Sequence, residues 1–146
     1  MKRYWYKFRV KYGKALGTGK KKKVSEEYLV DAESFTETEK RATKAATELI
    51  GTRDFDITAI SREPITEILK EDENEGNHWY KTVVSLVTED EDTGVKKFSP
   101  QTIYVNAPST KEADRILRQH MSSSVTEWEI KSIAETKVLG VLGYKQ

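Results

Sequence analysis

Cysteine is absent from this 146-residue chain, and only two histidines and three prolines occur. Disulfide bonds and thiolate metal sites are therefore excluded. No apolar run approaches the roughly 18 residues of a membrane-spanning helix. The positive charge near the N-terminus is not followed by the apolar run that a secretory signal needs. We therefore expect a cytoplasmic protein that does not associate with membranes.

Neither sign of charge dominates the chain, since the formal net charge is only +1 although 34% of the residues are charged. The two halves differ, however. Residues 1–70 hold 16 Lys and Arg against 11 Asp and Glu, and residues 71–146 hold 9 against 13. Such an asymmetry can steer a partner, and it can also make molecules stack head to tail. The net charge alone gives no argument for nucleic-acid binding.

Short motifs of the first half return 73 to 75 residues later in the second half. Trp5–Lys7, for example, returns as Trp79–Lys81. The same register pairs further segments: Leu29–Ala32 with Tyr104–Ala107, Ser34 and Glu37 with Ser109 and Glu112, and Phe55–Ile57 with Trp128–Ile130. A repeated unit of this length usually has an apolar face that its neighbour buries. The sequence thus predicts two pseudo-repeats sharing one core.

In the first half, residues 3–12 alternate between tyrosine or other apolar residues and cations or tryptophan, the period of a half-buried strand. A turn containing Gly13, Gly17 and Gly19 follows. Ser34 with Glu37 reads as a capping box. The further elements predicted are strands at residues 24–31, 55–62 and 65–69, and a helix with an apolar stripe of Ala42, Ala45, Ala46 and Leu49 that ends at Gly51.

The second half repeats this order after an acidic joint at residues 71–77. We predict strands at residues 78–88, 98–106 and 128–142, the last bent near Ala134, and a helix opened by Ser109 and Glu112 and carrying Ala113, Ile116, Leu117 and Met121. Pro64 and Pro100 indicate sheet edges. Each half reads strand–strand–helix–strand. The predicted fold class is α+β, with residues 1–70 and 78–146 as pseudo-repeats of one structural domain, and with antiparallel sheets packed against two helices.

The outward face of the first strand is the main candidate site. Its cations can neutralise phosphates, and an indole offers a base a stacking surface worth about 1–3 kcal/mol. The alternative is a solvated sheet face with Trp5 packed beneath a helix. In the second half, tryptophan and one lysine persist at the equivalent positions, but the other cations are missing. The predicted nucleic-acid-binding residues are Arg3, Trp5, Lys7, Arg9, Lys11, Lys20, Lys21, Lys22, Lys23, Trp79 and Lys81.

Evidence for an enzyme is poor. His78 and His120 fall at non-equivalent places in the two halves. Glu89–Asp92 could hold a hard cation, but it lacks the spaced ligands of a calcium loop, and a solvated hairpin tip explains it better. Gly17–Lys20 resembles part of a phosphate loop without the upstream glycine of the full motif. We predict no catalytic residue, no metal and no cofactor.

The opening Trp5–Tyr12, together with Lys22–Glu37, resembles an uncharacterised domain family found in gut anaerobes and their phages. His78–Lys81 and Ile130–Thr136 fit it too, and Tyr28–Ala32 is the most specific segment. The match runs over nearly the whole chain. Because the family has no established catalytic residues, the resemblance implies none here.

More loosely, a twisted sheet with helices, built from two like halves, is similar to the single-stranded DNA-binding fold of the whirly and transcriptional-coactivator type. In those proteins four strands precede each helix, whereas this sequence predicts two before each helix and one after. The resemblance implies binding of single-stranded DNA by a phage-type protein, although fold does not fix function.

The leading functional hypothesis is non-catalytic binding of single-stranded DNA or RNA in replication, recombination or transcription. Arg3, Lys7, Arg9 and Lys11 would capture phosphates, Trp5 would stack on a base, and the Lys20–Lys23 turn would close over the strand. Sequence preference should be low, because no reader of base edges is evident. The alternative is a protein-binding accessory or inhibitor module whose partner is another protein or, as a homodimer, a second copy of the chain.

Overall fold

The computed structural model describes residues 3–70 and 77–142. Most of the predicted acidic joint lies outside these ranges. Within them the chain forms eight strands and two helices: β1 (Tyr4–Ala15), β2 (Lys21–Ala32), α1 (Phe35–Ile50), β3 (Phe55–Glu63), β4 (Glu67–Lys70), β5 (His78–Glu89), β6 (Lys96–Ala107), α2 (Thr110–Met121), β7 (Glu127–Glu135) and β8 (Val138–Leu142).

The chain divides into two compact units. The first unit comprises Met1–Pro64 with Lys137–Gln146, and the second comprises Ile65–Thr136. In its described residues, each unit contains one helix and one four-stranded sheet. The predicted α+β class is therefore confirmed. That the two units form one structural domain stays a prediction.

Each sheet combines strands from both halves of the sequence. The strand order is β3-β1-β2-β8 in the first unit and β4-β6-β5-β7 in the second. Three strands of each sheet are antiparallel, but β8 runs parallel to β2 and β4 runs parallel to β6. The prediction of purely antiparallel sheets is wrong for these outer strands. Parallel neighbours need a long connection, and each outer strand is far in sequence from the strand that it pairs with.

The segment predicted as one bent strand at residues 128–142 is in fact two strands of different sheets. β7 ends at Glu135 in the second unit, and β8 begins at Val138 beside β2 of the first unit. β3 and β4 separate in the same way on either side of Pro64. Periodicity did not distinguish these cases because both pieces are extended and rich in apolar residues. The duplicated sequence stays a hypothesis. Both units contain strand–strand–helix–strand in that order, but the parallel outer strand comes last in the sequence of the first unit (β8) and first in that of the second (β4).

The core of the first unit lies between α1 and one face of its sheet. Tyr6, Phe8 and Val10 of β1 point into it and are at most 3% exposed. Ala42 and Ala46 of α1 face them and are buried, as the predicted stripe requires. Leu49 was expected on the same stripe but is 54% exposed. Its neighbour Ile50 packs against the cluster instead.

The second unit has the same plan with larger side chains on its helix. All four residues predicted for the α2 stripe are buried: Ala113, Ile116, Leu117 and Met121. They pack with Tyr80 and Val84 of β5. Both predicted helix starts are confirmed, since Ser34 Oγ accepts a hydrogen bond from Glu37 N–H at 3.1 Å and Ser109 Oγ accepts one from Glu112 N–H at 3.2 Å.

Candidate nucleic-acid interface

The alternation predicted for β1 is present. Tyr6, Phe8 and Val10 pack with the core cluster beneath α1. Because successive side chains of a strand point to opposite faces, Trp5, Lys7, Arg9 and Lys11 lie on the other face of the sheet. We use the name cation row for five residues of this strand and its start: the cations Arg3, Lys7, Arg9 and Lys11, and Trp5 among them.

Carboxylates of the neighbouring strands neutralise the middle of the cation row. Lys7 Nζ lies 3.5 Å from Glu63 Oε1 of β3 and 3.6 Å from Glu27 Oε1 of β2. Arg9 Nη2 lies 3.7 Å from the same oxygen of Glu27. The register explains these contacts, since β2 places Glu27 directly opposite Arg9 and β3 places Glu63 directly opposite Trp5.

Arg3 is held by acids around the start of α1. Its guanidinium contacts Asp31 Oδ2 at 3.3 Å, Glu37 Oε1 at 3.1 Å and Glu33 Oε1 at 3.7 Å. Burial acts to lower the pKa of Arg3, but the hydrogen bonds and negative charges of Glu37 and Asp31 raise it above its ordinary value. Arg41 shares the Asp31 carboxylate at 3.1 Å. These contacts give Arg3 a structural role in joining β2 to α1.

The expectation that Arg3, Lys7 and Arg9 present unpaired cations to solvent is therefore wrong. Trp5 is half-buried, and it is not part of the core cluster beneath α1. Leu29, opposite Lys7 on the same face, is fully buried at 0% exposure, and Glu27 is 8% exposed. On this sheet face Leu29 and Glu27 are thus buried, Trp5 and Lys7 are partly exposed, and Arg9 and Lys11 are exposed. Sequence reasoning missed the neutralising acids because they lie 18 or more residues away in the chain.

The first hairpin extends well beyond its sheet. β3 pairs with β1 only as far as Tyr12, and β8 meets β2 only from Glu27. Beyond those points the pairing between β1 and β2 continues to Ala15 and Lys21. We call residues 11–24 the basic ribbon. It contains no acidic residue, and its six lysines are Lys11, Lys14, Lys20, Lys21, Lys22 and Lys23.

All six lysines of the basic ribbon are exposed. Within the described residues, no carboxylate lies at ion-pair distance from any of them. Lys21–Lys23 were predicted in a turn but belong to β2. The turn itself is closed by hydrogen bonds from Leu16 N–H to Lys20 O at 2.8 Å and from Gly19 N–H to Leu16 O at 3.1 Å. The lysines therefore project from a regular two-stranded scaffold.

A groove of about 590 Å³ lies at the base of the basic ribbon, lined by Lys11, Lys21, Lys23, Asp54 and Asp56 among others. The two aspartates oppose the positive potential there. The strongest uncompensated charge consequently lies toward the ribbon tip. One signal in the sequence could have identified the basic ribbon. It is the run without acidic residues from residue 11 to residue 24, which continues a strand longer than its partner β3.

The equivalent residues of the second unit are not available as a stacking surface. Trp79 is 4% exposed and Tyr104 is 2% exposed. The Trp79 carbonyl also accepts hydrogen bonds from Thr136 N–H at 2.9 Å and from Thr136 Oγ1 at 2.8 Å. Lys81 is half-buried. In this structure Trp79 therefore offers no open ring face to a base.

The second hairpin also extends beyond its sheet, but it carries the opposite charge. β7 pairs with β5 only to Val87, and β4 meets β6 only from Ile103. We call residues 88–98 the acidic ribbon. Its four acids are Glu89, Asp90, Glu91 and Asp92, and its two cations are Lys96 and Lys97. Every residue in it is exposed.

Asp90 has a structural role at the tip of the acidic ribbon. Its Oδ1 accepts hydrogen bonds from Asp92 N–H at 2.8 Å and from Thr93 N–H at 3.1 Å. These bonds lower the pKa of Asp90 below its ordinary value. The side chains of Glu91 and Asp92 remain directed to solvent.

The two histidines are far apart in sequence and bind different glutamates. His120 Nε2 lies 2.7 Å from Glu67 Oε2, and His78 Nδ1 lies 3.3 Å from Glu135 Oε1. The described ranges contain no group of three or more side chains suited to a metal ion. Among the helices described, none has the length and apolar character needed to cross a membrane.

Comparison with known proteins places the chain in one family. No curated protein and no solved structure matches it. A family model does match, and it covers residues 4–144, from β1 to beyond β8. The family is described as a domain of unknown function, which agrees with the uncharacterised family that the sequence resembles. The chain belongs to the DUF4494 family of domains of unknown function.

Proposed function

We propose that this protein binds single-stranded DNA or RNA without catalysis, and that the basic ribbon is the principal contact. The observation that carries the proposal is the set of six exposed lysines with no carboxylate at ion-pair distance in the described part of the chain. Lysines that neutralise phosphates release condensed counterions, and this release is the main source of non-specific affinity.

The cation row has a smaller part in this mechanism than the sequence suggested. Arg9 retains 49% side-chain exposure although Glu27 lies near it, and Lys11 joins the row to the basic ribbon. Arg3 and Lys7 are held by carboxylates. Trp5 is half-buried, so stacking on it is at most partial. Affinity should therefore depend on phosphates rather than bases, with low sequence preference.

The order of elements adds no support to the resemblance with the whirly and coactivator type. Two strands, β1 and β2, precede α1, as the sequence predicted, whereas four strands precede each helix in that type. Four strands lie between α1 and α2, but β3 belongs to the first sheet and β4, β5 and β6 belong to the second. An origin in gut anaerobes and their phages, and a cytoplasmic location, stay predictions.

A comparison of charge-reversal variants tests the site. Lys21→Glu with Lys23→Glu changes the basic ribbon, whereas Lys40→Glu with Lys44→Glu changes exposed positions on α1 and alters the net charge equally. Anisotropy of a labelled homopolymeric oligonucleotide should show affinity at least tenfold weaker for the ribbon variant and little changed for the helix variant.

Two results would contradict the proposal. One is an equal loss for the ribbon and helix variants, which would indicate only a general charge effect. The other is absence of binding by the wild-type protein at low salt, which would favour the alternative of a protein-binding module.

A further inference from the structure

The chain carries two projecting ribbons of opposite charge. The basic ribbon (residues 11–24) has six lysines and no acid, and the acidic ribbon (residues 88–98) has four acids at its tip. Both are exposed throughout, apart from half-buried Tyr12 and Val24. Within the described residues, neither the six lysines nor Glu89–Asp92 form an ion pair. Each ribbon thus presents charge that no ion pair with another described residue neutralises.

Both ribbons also have open backbone edges. Each consists of two paired strands that continue beyond the rest of the sheet, although Lys11 and Tyr12 at the base of the basic ribbon still pair with β3. Lysines along such an edge oppose pairing with a like-charged edge. Cross-strand pairs of opposite charge are favourable, and like charges directly opposite one another are not. Basic-to-basic and acidic-to-acidic contacts are therefore disfavoured, and basic-to-acidic contacts are favoured.

We propose that the acidic ribbon of one copy docks on the basic ribbon of a second copy. Exposed apolar side chains accompany the charges on both ribbons: Leu16 is 44% exposed at the basic tip, and Val95 and Phe98 are 57% and 59% exposed on the acidic ribbon. Their burial in the contact adds an apolar contribution to the charge pairing.

This contact joins two different surfaces of the chain and is therefore heterologous. When two copies are joined in this way, one copy retains its basic ribbon and the other retains its acidic ribbon, so association can continue head to tail. A single-stranded nucleic acid and the acidic ribbon would compete for the same lysines. The inference does not depend on nucleic-acid binding, because it uses only the charges and edges of the two ribbons.

Charge reversal on each ribbon separately tests the contact. Lys21→Glu with Lys23→Glu lowers the formal charge of the basic ribbon from +6 to +2 and places two carboxylates among its lysines. Glu91→Lys with Asp92→Lys changes the formal charge of the acidic ribbon from −2 to +2, so that both ribbons are basic, and it spares the structural carboxylate of Asp90. By sedimentation velocity at low salt, the mass of the wild-type protein should rise with concentration, whereas each variant alone should remain a monomer at all concentrations.

An equimolar mixture of the two variants is the most direct test of the contact. It again contains an unaltered acidic ribbon, from the Lys21→Glu, Lys23→Glu protein, and an unaltered basic ribbon, from the Glu91→Lys, Asp92→Lys protein. The mixture should associate, and added salt should dissociate it. The Lys40→Glu, Lys44→Glu protein is the charge-matched control and should associate as the wild type does. Monomeric wild-type protein over the whole concentration range, association of either variant alone, or a mixture that stays monomeric would each overturn the proposal.

The same variants separate this inference from nucleic-acid binding. The Glu91→Lys, Asp92→Lys protein should lose self-association yet bind the oligonucleotide at least as tightly as the wild type. If the wild-type protein associates but binds no oligonucleotide, only the proposed function fails. If it binds the oligonucleotide but never associates, only the present inference fails.

Discussion

Glu27 lies opposite Arg9 in the β1–β2 pair, and its Oε1 is 3.7 Å from Arg9 Nη2 and 3.6 Å from Lys7 Nζ. Its side chain is 11% exposed, whereas those of its two partners are 49% and 33% exposed. One nearly buried carboxylate therefore neutralises two cations that the sequence alone suggests are available. This relationship moves the candidate interface from the cation row to the basic ribbon.

Replacing this carboxylate tests its effect on both stability and binding. We expect Glu27→Gln to lower the free energy of unfolding by about 1 kcal/mol, since the cations that it leaves are partly solvated. The same change should strengthen oligonucleotide binding several-fold, because Lys7 and Arg9 gain positive potential. Thermal unfolding and anisotropy measure the two effects. Glu48→Gln, at an exposed position of α1, is the control and should leave both the free energy of unfolding and the oligonucleotide affinity unchanged. Weaker oligonucleotide binding by the Glu27→Gln protein would contradict the neutralisation of Lys7 and Arg9 by Glu27.

β8 follows β7 of the second unit in the sequence, but it pairs with β2 in the sheet of the first unit. The stability of the first unit should therefore depend on residues 138–142. Val138 of β8 is 4% exposed and pairs beside Glu27. Val138→Asp places a carboxylate at this buried position and should lower the free energy of unfolding by on the order of 3 kcal/mol. Hydrogen exchange should show lost protection in β1, β2 and β3 before β5 and β6.

Val125→Asp is the matched control for that change, because Val125 is fully exposed at 104%. It should leave protection unaltered in both units. If Val138→Asp instead lowered protection chiefly in the second unit, the observed pairing of β8 with β2 would be contradicted.

Acid should weaken the junction between Arg3 and the start of α1. A hydrogen bond from Glu33 N–H, together with Arg3, lowers the pKa of Glu37 below its ordinary value of 4.5. A depressed pKa in the folded state contributes stability above the unfolded-state pKa, and that contribution is lost as the pH falls through the folded-state value. Glu37→Gln should therefore lower the Tm at about pH 6 and lower it less at about pH 3. A Tm difference that did not shrink with acidification would exclude this ionisation as the cause.

The local elements could be predicted from the sequence, and the pairing of distant elements could not. Both capping boxes, the alternation of β1 and the α2 stripe depend on residues a few positions apart, where periodicity and side-chain chemistry decide the structure. β4 and β8 pair with strands that are distant in the chain, and their apolar composition fits either sheet. Only the register of the folded sheet reveals which strands they join.

The same contrast between local and distant residues applies to the candidate site. The six lysines of the basic ribbon could be read directly from residues 11–24, because no acid interrupts them. The neutralisation of Lys7 depends on Glu63, 56 positions later in the sequence and on another strand. The burial of Trp79 likewise depends on tertiary packing that strand periodicity does not describe. Charge patterns in sequence therefore located cations here but not their counterions.

The salt dependence of oligonucleotide affinity tests the central claim most directly. Each phosphate neutralised on a single strand contributes about −0.7 to the slope of log K against log salt, so six ribbon lysines predict a slope of about −4. Lys21→Gln with Lys23→Gln should make that slope shallower by about 1.4, again at about 0.7 per lost contact, while Lys40→Gln with Lys44→Gln should not change it. A slope that responds equally to both pairs of substitutions, or a wild-type protein without measurable affinity at low salt, would contradict phosphate capture by the basic ribbon.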